Sequence, residues 1–304
     1  QPFFLDVGFV LPHRAYIPAE PAVFAAEDPR YLRVPPTVPD TPATRADMAM
    51  YHASARVMDE CCGRVLQALD AAGLATTTLV IATTDHGIAF PGMKCNLTDH
   101  GLGVYLIMRG PGGFDGGVVI DGMVSHSDIF PTICELLDLA PPEWLQGTSI
   151  MPLVRGEAPH VHEAIFGEVT YHAAYEPQRC IRTLRWKYIK RFDPHWRRPV
   201  LPNCDKSLSK QVRLDHGWAL HEVPCVQLYD LVFDPGETRN LANDPSHADT
   251  CADLDARLTA WMTATGDPLL KGAVPLAEGC SIWPVDAESC EDSGSPGRTL
   301  YKER

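Results

Sequence analysis

Residues 79–87 read LVIATTDHG, an apolar run that breaks off on Asp85 and His86. LVIAT has the length and the β-branched content of a strand covered on both faces, as in a parallel α/β sheet. Ligands of such sheets collect beyond the carboxyl ends of the strands, which places the two side chains at a ligand-facing rim. Gly87 lets the chain turn away there. An Asp in this position also suits the cap of a following element, so the neighbourhood has to decide.

Working outward, Thr44 and Asp47 make a capping-box-like start to a helix. Met48, Tyr51, Ala55, Met58, Cys62, Val65, Leu66 and Leu69 then recur at steps of three and four, and Gly73 closes the helix. PFFLDVGFV at 2–10 is a further strand candidate ahead of a Pro-rich irregular stretch to residue 42. On the other side, VYLIM at 104–108 reads as a strand closed by the Gly-rich turn 110–117. Ser127 and Asp128 introduce the short helix IFPTICELLDL, with Pro131 in its first turn. This alternation predicts a mostly parallel, layered α/β domain over 1–160.

Beyond residue 160 the pattern changes. AIFGEV, CIRTL, KYIKRF and VQLYDLV resemble short antiparallel strands. Ser246 with Asp249 starts an amphipathic helix carrying Leu254, Leu258, Trp261 and Met262. The expectation is a smaller α+β subdomain over 161–270, with an irregular tail at 271–304 that wraps the surface or stays mobile.

Composition narrows the function classes. The 304 residues carry a net charge of −13, which argues against a general nucleic-acid surface. No apolar run is long enough to span a bilayer, so neither nucleic acid nor membrane is an expected partner. The ten cysteines show no paired C-x-x-C framework; Cys61 and Cys62 read as buried thiols, and Cys280 with Cys290 could pair in an oxidising compartment. A basic strip runs from Arg179 to Arg198 through Arg182, Arg185, Lys187, Lys190, Arg191 and Arg197 against one acid, Asp193. It suits an anionic ligand or a charged strand edge. The chain opens on Gln1 rather than Met, which reads as the inside of a longer protein.

The candidate chemistry comes from four residues. Asp85 and His86 end a strand, Lys94 lies in the following loop (GMKCN), and His13 follows the first strand candidate in LPHRAY. A carboxylate suits a divalent cation, an imidazole adds a nitrogen ligand, and a lysine supplies compact positive charge to an anion. His13 can protonate a departing oxygen, which ester hydrolysis requires. Singly, each has a structural reading; together they describe an anion pocket backed by a metal.

The ordered motifs PFFLDVGFVLPHRAY, LVIATTDHG, GMKCNLTDHG, VSHSDIFPTICELLDL, RTLRWKYIKRF and QLYDLVFDPGETRNLA resemble the type I sulfatases of the alkaline-phosphatase superfamily, to about residue 265. The resemblance implies His13 and Lys94 as sulfate contacts and leaving-group acids, and Asp85 and His86 as ligands of Ca2+ or another divalent cation. Arg14, His100 and Arg182 are further candidate substrate contacts. The implied activity is hydrolysis of a sulfate ester or sulfamate, with a sulfated small molecule or glycan as partner. Asn96-Leu97-Thr98 matches a glycosylation sequon, read as chance in an active-site loop. Sulfatases make their formylglycine nucleophile from a C/S-x-P-x-R motif, and none occurs here; CCGRV and CIRTL both fail it. The chain is therefore expected to be the carboxyl-terminal portion of a sulfatase, inactive alone, completed by an N-terminal part of the same precursor that carries the formylglycine and two more metal-binding Asp residues. The alternatives are a phosphodiesterase or phosphonate-ester hydrolase of the superfamily, and a non-catalytic sulfated-glycan-binding fragment using the basic strip.

Overall fold

The computed structural model describes residues 2–16 and 27–290. Its longest element is helix α1, Pro42–Ala71. Thr41 caps it: Thr44 N–H donates to Thr41 Oγ1 at 3.2 Å, and Thr41 N–H donates to Thr44 Oγ1 at 2.9 Å. The box thus lies one turn ahead of the expected Thr44–Asp47 pair, with Pro42 pre-set for the first helical position. Gly73, at φ +72°, ends the helix as expected; its N–H reaches Asp70 O, and Leu74 N–H reaches Leu69 O. Met48 and Tyr51 pack with Val38, Phe90 and Met93; farther along the stripe Ala55, Met58, Cys62, Leu66 and Leu69 are half-buried and Val65 is exposed.

Strand β1 (Val80–Thr83) forms from LVIAT, though with Ala82 and Thr83 exposed rather than covered on both faces, and pairs with β2 (Leu106–Arg109), Val80 opposite Arg109 and Thr83 opposite Leu106. The pair is antiparallel, whereas the alternation of elements pointed to a parallel neighbour. The physical reason lies in the connection 84–105. It contains only the one-turn helix Asp99–Leu102, not a crossover helix, so the chain returns beside its own strand in the opposite direction. PFFLDVGFV forms no strand: residues 2–10 border no described strand, and without a ladder an extended segment has no strand hydrogen bonds to make. Its Phe4 is 91% exposed. Helix α2 (Ile129–Leu136) follows a turn in which Asp128 accepts from Ser125 N–H at 2.7 Å and Thr148 N–H at 2.8 Å.

The second half is a four-stranded antiparallel meander: β3 (Ile165–Tyr171), β4 (Tyr175–Arg182), β5 (Trp186–Arg191) and β6 (Val226–Asp230), in that spatial order. β4 begins five residues before the expected CIRTL strand. Pro177 disguises it, since proline removes a ladder donor from a central strand. The ladder accommodates this with a register shift at that point, Thr170 of β3 facing both Glu176 and Pro177 of β4. Helix α3 (Leu208–Asp215) lies in the β5–β6 connection. Helix α4 (Ala248–Ala264) lays Leu254, Leu258 and Met262 on Ile181, Tyr188 and Leu228. Each such side chain contributes about 1.5–3 kcal/mol by leaving water. The Trp261 ring stacks on Phe166 at 4.9 Å.

The described part of the tail wraps back on the sheet region, one of the two outcomes the sequence left open. Ile282 and Val285 pack against Ala174, Tyr175 and Val200, while residues 291–304 lie outside the described residues. Cys280 keeps a free thiol, so the possible bridge to Cys290 is not made. Among the described residues no helix is long and apolar enough to cross a membrane.

Candidate active site

The loop that follows β1 is folded tightly on itself. Gly87 N–H donates to Gly101 O at 2.9 Å, and a Cβ on Gly87 would stand 1.8 Å from the His100 carbonyl oxygen. Close approach of two backbones therefore requires glycine here, beyond the turn that the sequence indicated. The fold of this loop puts Lys94 in the interior, with 9% of its side chain exposed.

His13 reaches Lys94 from the N-terminal segment, and Arg14 anchors it. The Arg14 guanidinium donates to both Asp47 carboxylate oxygens at 2.7 and 2.9 Å, its Nε donates to Ala89 O at 2.6 Å, and it lies over the Tyr16 and Phe90 rings. Asp47 thus has a connecting role that the helix-cap reading missed; it also accepts from the Ser209 hydroxyl of α3 at 2.5 Å. His13 Nδ1 hydrogen-bonds the Arg14 carbonyl oxygen. A carbonyl only accepts, so Nδ1 carries the proton and Nε2 keeps a lone pair. Lys94 Nζ stands 3.3 Å from that Nε2 and 3.2 Å from Asp205 Oδ2. Carboxylate, ammonium and imidazole form a continuous chain of charge-assisted hydrogen bonds.

The sequence motifs did not single out Asp205. It lies in the plain stretch NCDKSLS, carries no motif, and reaches Lys94 only because the β5–β6 connection folds over the loop. His172, which no sequence motif singles out, stands in the β3–β4 turn. Burial, and then the Lys94 charge, holds its imidazole below the ordinary pKa; His86 and His13 act in the same direction and Asp205 opposes them. These couplings put His13, His86, Lys94, His172 and Asp205 in one electrostatic neighbourhood.

Asp85 and His86 present two bases to one place. His86 Nδ1 donates to Gly87 O at 2.6 Å, which leaves Nε2 as a lone pair 3.4 Å from Asp85 Oδ2. Two acceptors facing each other fit a shared cation. They are a small part of a shell, since calcium takes about six to eight oxygen ligands, and no group of three or more metal-binding side chains occurs among the described residues. The neighbouring thiols are not activated. Cys95 and Cys204 are each pushed up to about 12, chiefly by burial.

The remaining candidates turn away from this cluster. Arg14 is committed to Asp47. His100 Nε2 donates to Gly236 O at 3.3 Å. Arg182 binds Asp99 at 3.1 Å, and the fully buried Lys187 binds the same carboxylate at 2.7 Å. Glu237 completes this group: it accepts from Asp99 N–H at 2.5 Å, and burial pushes its carboxyl up to about 7. Most of the basic strip is spent likewise, with Arg179 on Asp267, Arg185 on Asp230, Lys190 on Asp255, Arg191 on Glu176 and Arg197 on Glu222.

Comparison with known proteins follows the same outline. The sulfatase family profile matches residues 1–139, and the profile of the N-sulphoglucosamine sulphohydrolase C-terminal region matches residues 93–197. Human N-sulphoglucosamine sulphohydrolase is 30% identical over 88% of this chain and 62% of its own length. An ulvan-active sulfatase of Formosa agariphila is 28% identical over 80% of this chain and 43% of its own. The phosphonate monoester hydrolase of Agrobacterium radiobacter superposes with a TM-score of 0.54 at 26% identity, over 75% of this chain and 43% of that one. The chain thus spans less than two thirds of the length of each of these proteins.

Proposed function

Because the chain belongs to the type I sulfatase family, with its alkaline-phosphatase-like α/β fold, we propose that its His13–Lys94–Asp205 cluster is the leaving-group side of a sulfatase that hydrolyses a sulfate ester or sulfamate on a sulfated sugar. The observation that carries this reading is Lys94 Nζ held between the Asp205 carboxylate and the His13 imidazole. Asp205 offsets the desolvation cost of the ammonium, and Lys94 offers its N–H groups to the oxygens of a bound sulfate. When the S–O or S–N bond breaks, the electron pair stays on the departing oxygen or nitrogen. A proton from Lys94, or from His13 once Nε2 has been protonated, neutralises it. Asp85 and His86 supply two donors of a divalent-cation shell, calcium being the first choice, and a bound cation would polarise the sulfate oxygens. Within these 304 residues no C/S-x-P-x-R motif is present, so the formylglycine nucleophile belongs to another part of the protein and this chain alone does not turn over.

The sulfated-sugar reading is supported by the human relative, whose name specifies N-sulphoglucosamine. The test is turnover by the full-length gene product of N-sulfoglucosamine and a chromogenic aryl sulfate, beside Lys94→Ala. Loss of about 10²–10⁴-fold in kcat is expected; unchanged turnover of both substrates overturns the reading. The likeness to a phosphonate monoester hydrolase favours a second reading, and preferred turnover of an aryl phosphonate monoester would establish it instead.

A further inference from the structure

We infer that residues His195 to Arg198 form a second anion site that holds another charged sugar of a polyanionic chain whose sulfated residue occupies the His13–Lys94 pocket. The inference rests on the sulfatase reading for the second half of that statement and stands on separate residues.

Arg198 is the exception in the basic strip. It is exposed, and no carboxylate among the described residues neutralises it, whereas every other cation from Arg179 to Arg197 has one. In a protein of net charge −13, which repels polyanions at long range, uncompensated positive charge at one place is what an anionic chain would need. Arg198 lines an open pocket of about 480 Å³ with His195, Trp196, Arg197, Leu220 and Glu222. Arg197 is held by the largely exposed Glu222 at 3.1 Å, a surface pair weak enough to yield to an incoming sulfate or carboxylate.

The pocket is built rather than incidental. Arg197 Nε donates to Val223 O at 3.1 Å and Val223 N–H donates to Arg197 O at 2.9 Å, which fixes the backbone beneath the two arginines. Trp196 packs against Ala174, Tyr175, Val200 and Ile282 and offers an aromatic wall of the kind that receives a sugar ring. A fixed backbone and a packed ring lower the ordering cost of binding.

The same cluster joins this pocket to the candidate active site. Ala174 and Tyr175 follow His172 directly, and Asn203 Oδ1 accepts from Ala174 N–H at 2.8 Å, two residues before Asp205. From Arg198 to Asp205 the chain advances seven residues, at most about 25 Å if fully extended. The turn Leu201–Asn203 shortens that reach. The backbone at Arg198 therefore lies no more than about 25 Å from that at Asp205, within the span of a short oligosaccharide.

Titration of the purified protein with a heparin-derived octasaccharide at low salt tests the inference, with inorganic sulfate as the probe of the inner pocket. Arg198→Ala is expected to weaken octasaccharide binding about threefold and Arg198→Glu about tenfold, with inorganic sulfate binding unchanged. An octasaccharide Kd for Arg198→Glu within twofold of wild type overturns the inference, as does an equal loss of inorganic sulfate binding. Lys94→Ala separates the two readings. If it leaves both inorganic sulfate binding and full-length turnover unchanged, the sulfatase assignment of the inner pocket fails, while the Arg198 result still decides the outer site.

Discussion

The region up to about residue 160 and the sheet region after it hold themselves together differently. In the sheet region Ile181, Leu228, Leu254, Leu258 and Met262 are almost wholly removed from water and form one core between sheet and helix. In the first region the apolar residues of 2–10, Val65 of α1 and Ile107 of β2 face solvent, the outer part of the α1 stripe is only half-buried, and the order comes from loops and polar anchors. Every candidate catalytic side chain with sequence support, His13, Asp85, His86 and Lys94, belongs to the less consolidated region. What positions them crosses from the sheet region: Asp205 on Lys94, Ser209 on Asp47, Lys187 Nζ on Leu97 O, and Arg213 on Thr37 O. The lesson is that here the well-packed region serves as the template against which the site-bearing loops are set.

Asp47→Ala attacks that arrangement where it is most concentrated. It strands the buried Arg14 guanidinium and releases Ser209, and a loss of about 3–5 kcal/mol of unfolding free energy is expected in denaturant titration. A loss below about 1 kcal/mol would mean that Asp47 does not join the two regions through Ser209.

Leu258→Ala in the sheet core should cost about 2–5 kcal/mol, while Val65→Ala on the outer half of α1 should stay within about 0.5 kcal/mol. Equal effects at the two positions, read from the same denaturant midpoints, would erase the contrast between the regions.

Glu237→Gln gives a smaller, pH-dependent effect. The carboxyl titrates near 7 in the folded chain and near 4.5 when unfolded, so between these pH values the native state binds more protons. Stability from this group is full below about 4.5, falls as pH rises to about 7, and is level beyond. The amide removes that slope and should gain up to about 3 kcal/mol relative to wild type at pH 8, after discount for the nearby Lys187. Parallel wild-type and variant stability curves from pH 5 to 8 would show that Glu237 is ionised throughout.

Much of this was legible in the chain itself. LVIAT became a strand that ends at Thr83, two residues before Asp85, Gly73 closed the long helix, and Leu254, Leu258 and Met262 became the buried face of α4, because periodicity and capping are local properties. The misreadings have equally local causes. Pro177 hid the start of β4, and PFFLDVGFV has a strand's composition without a partner to pair with. The direction of β2 against β1 depended on how the intervening loop folds, which no residue pattern encodes.

The sequence by itself determined the family, the pairing of Asp85 with His86, and the candidacy of His13 and Lys94, since each depends on residue types at fixed short spacing. Only the tertiary structure decided which charges are available to a ligand. Along the basic strip, cations that look alike in sequence are neutralised one after another by Asp99, Asp230, Asp255, Asp267, Glu176 and Glu222, while Arg198 is exposed with no carboxylate partner among the described residues. It also brought Asp205 to Lys94 across 111 positions of sequence. The reason is physical: electrostatic pairing acts through space over a few ångströms, and distance in space between remote segments is set by packing rather than by order along the chain.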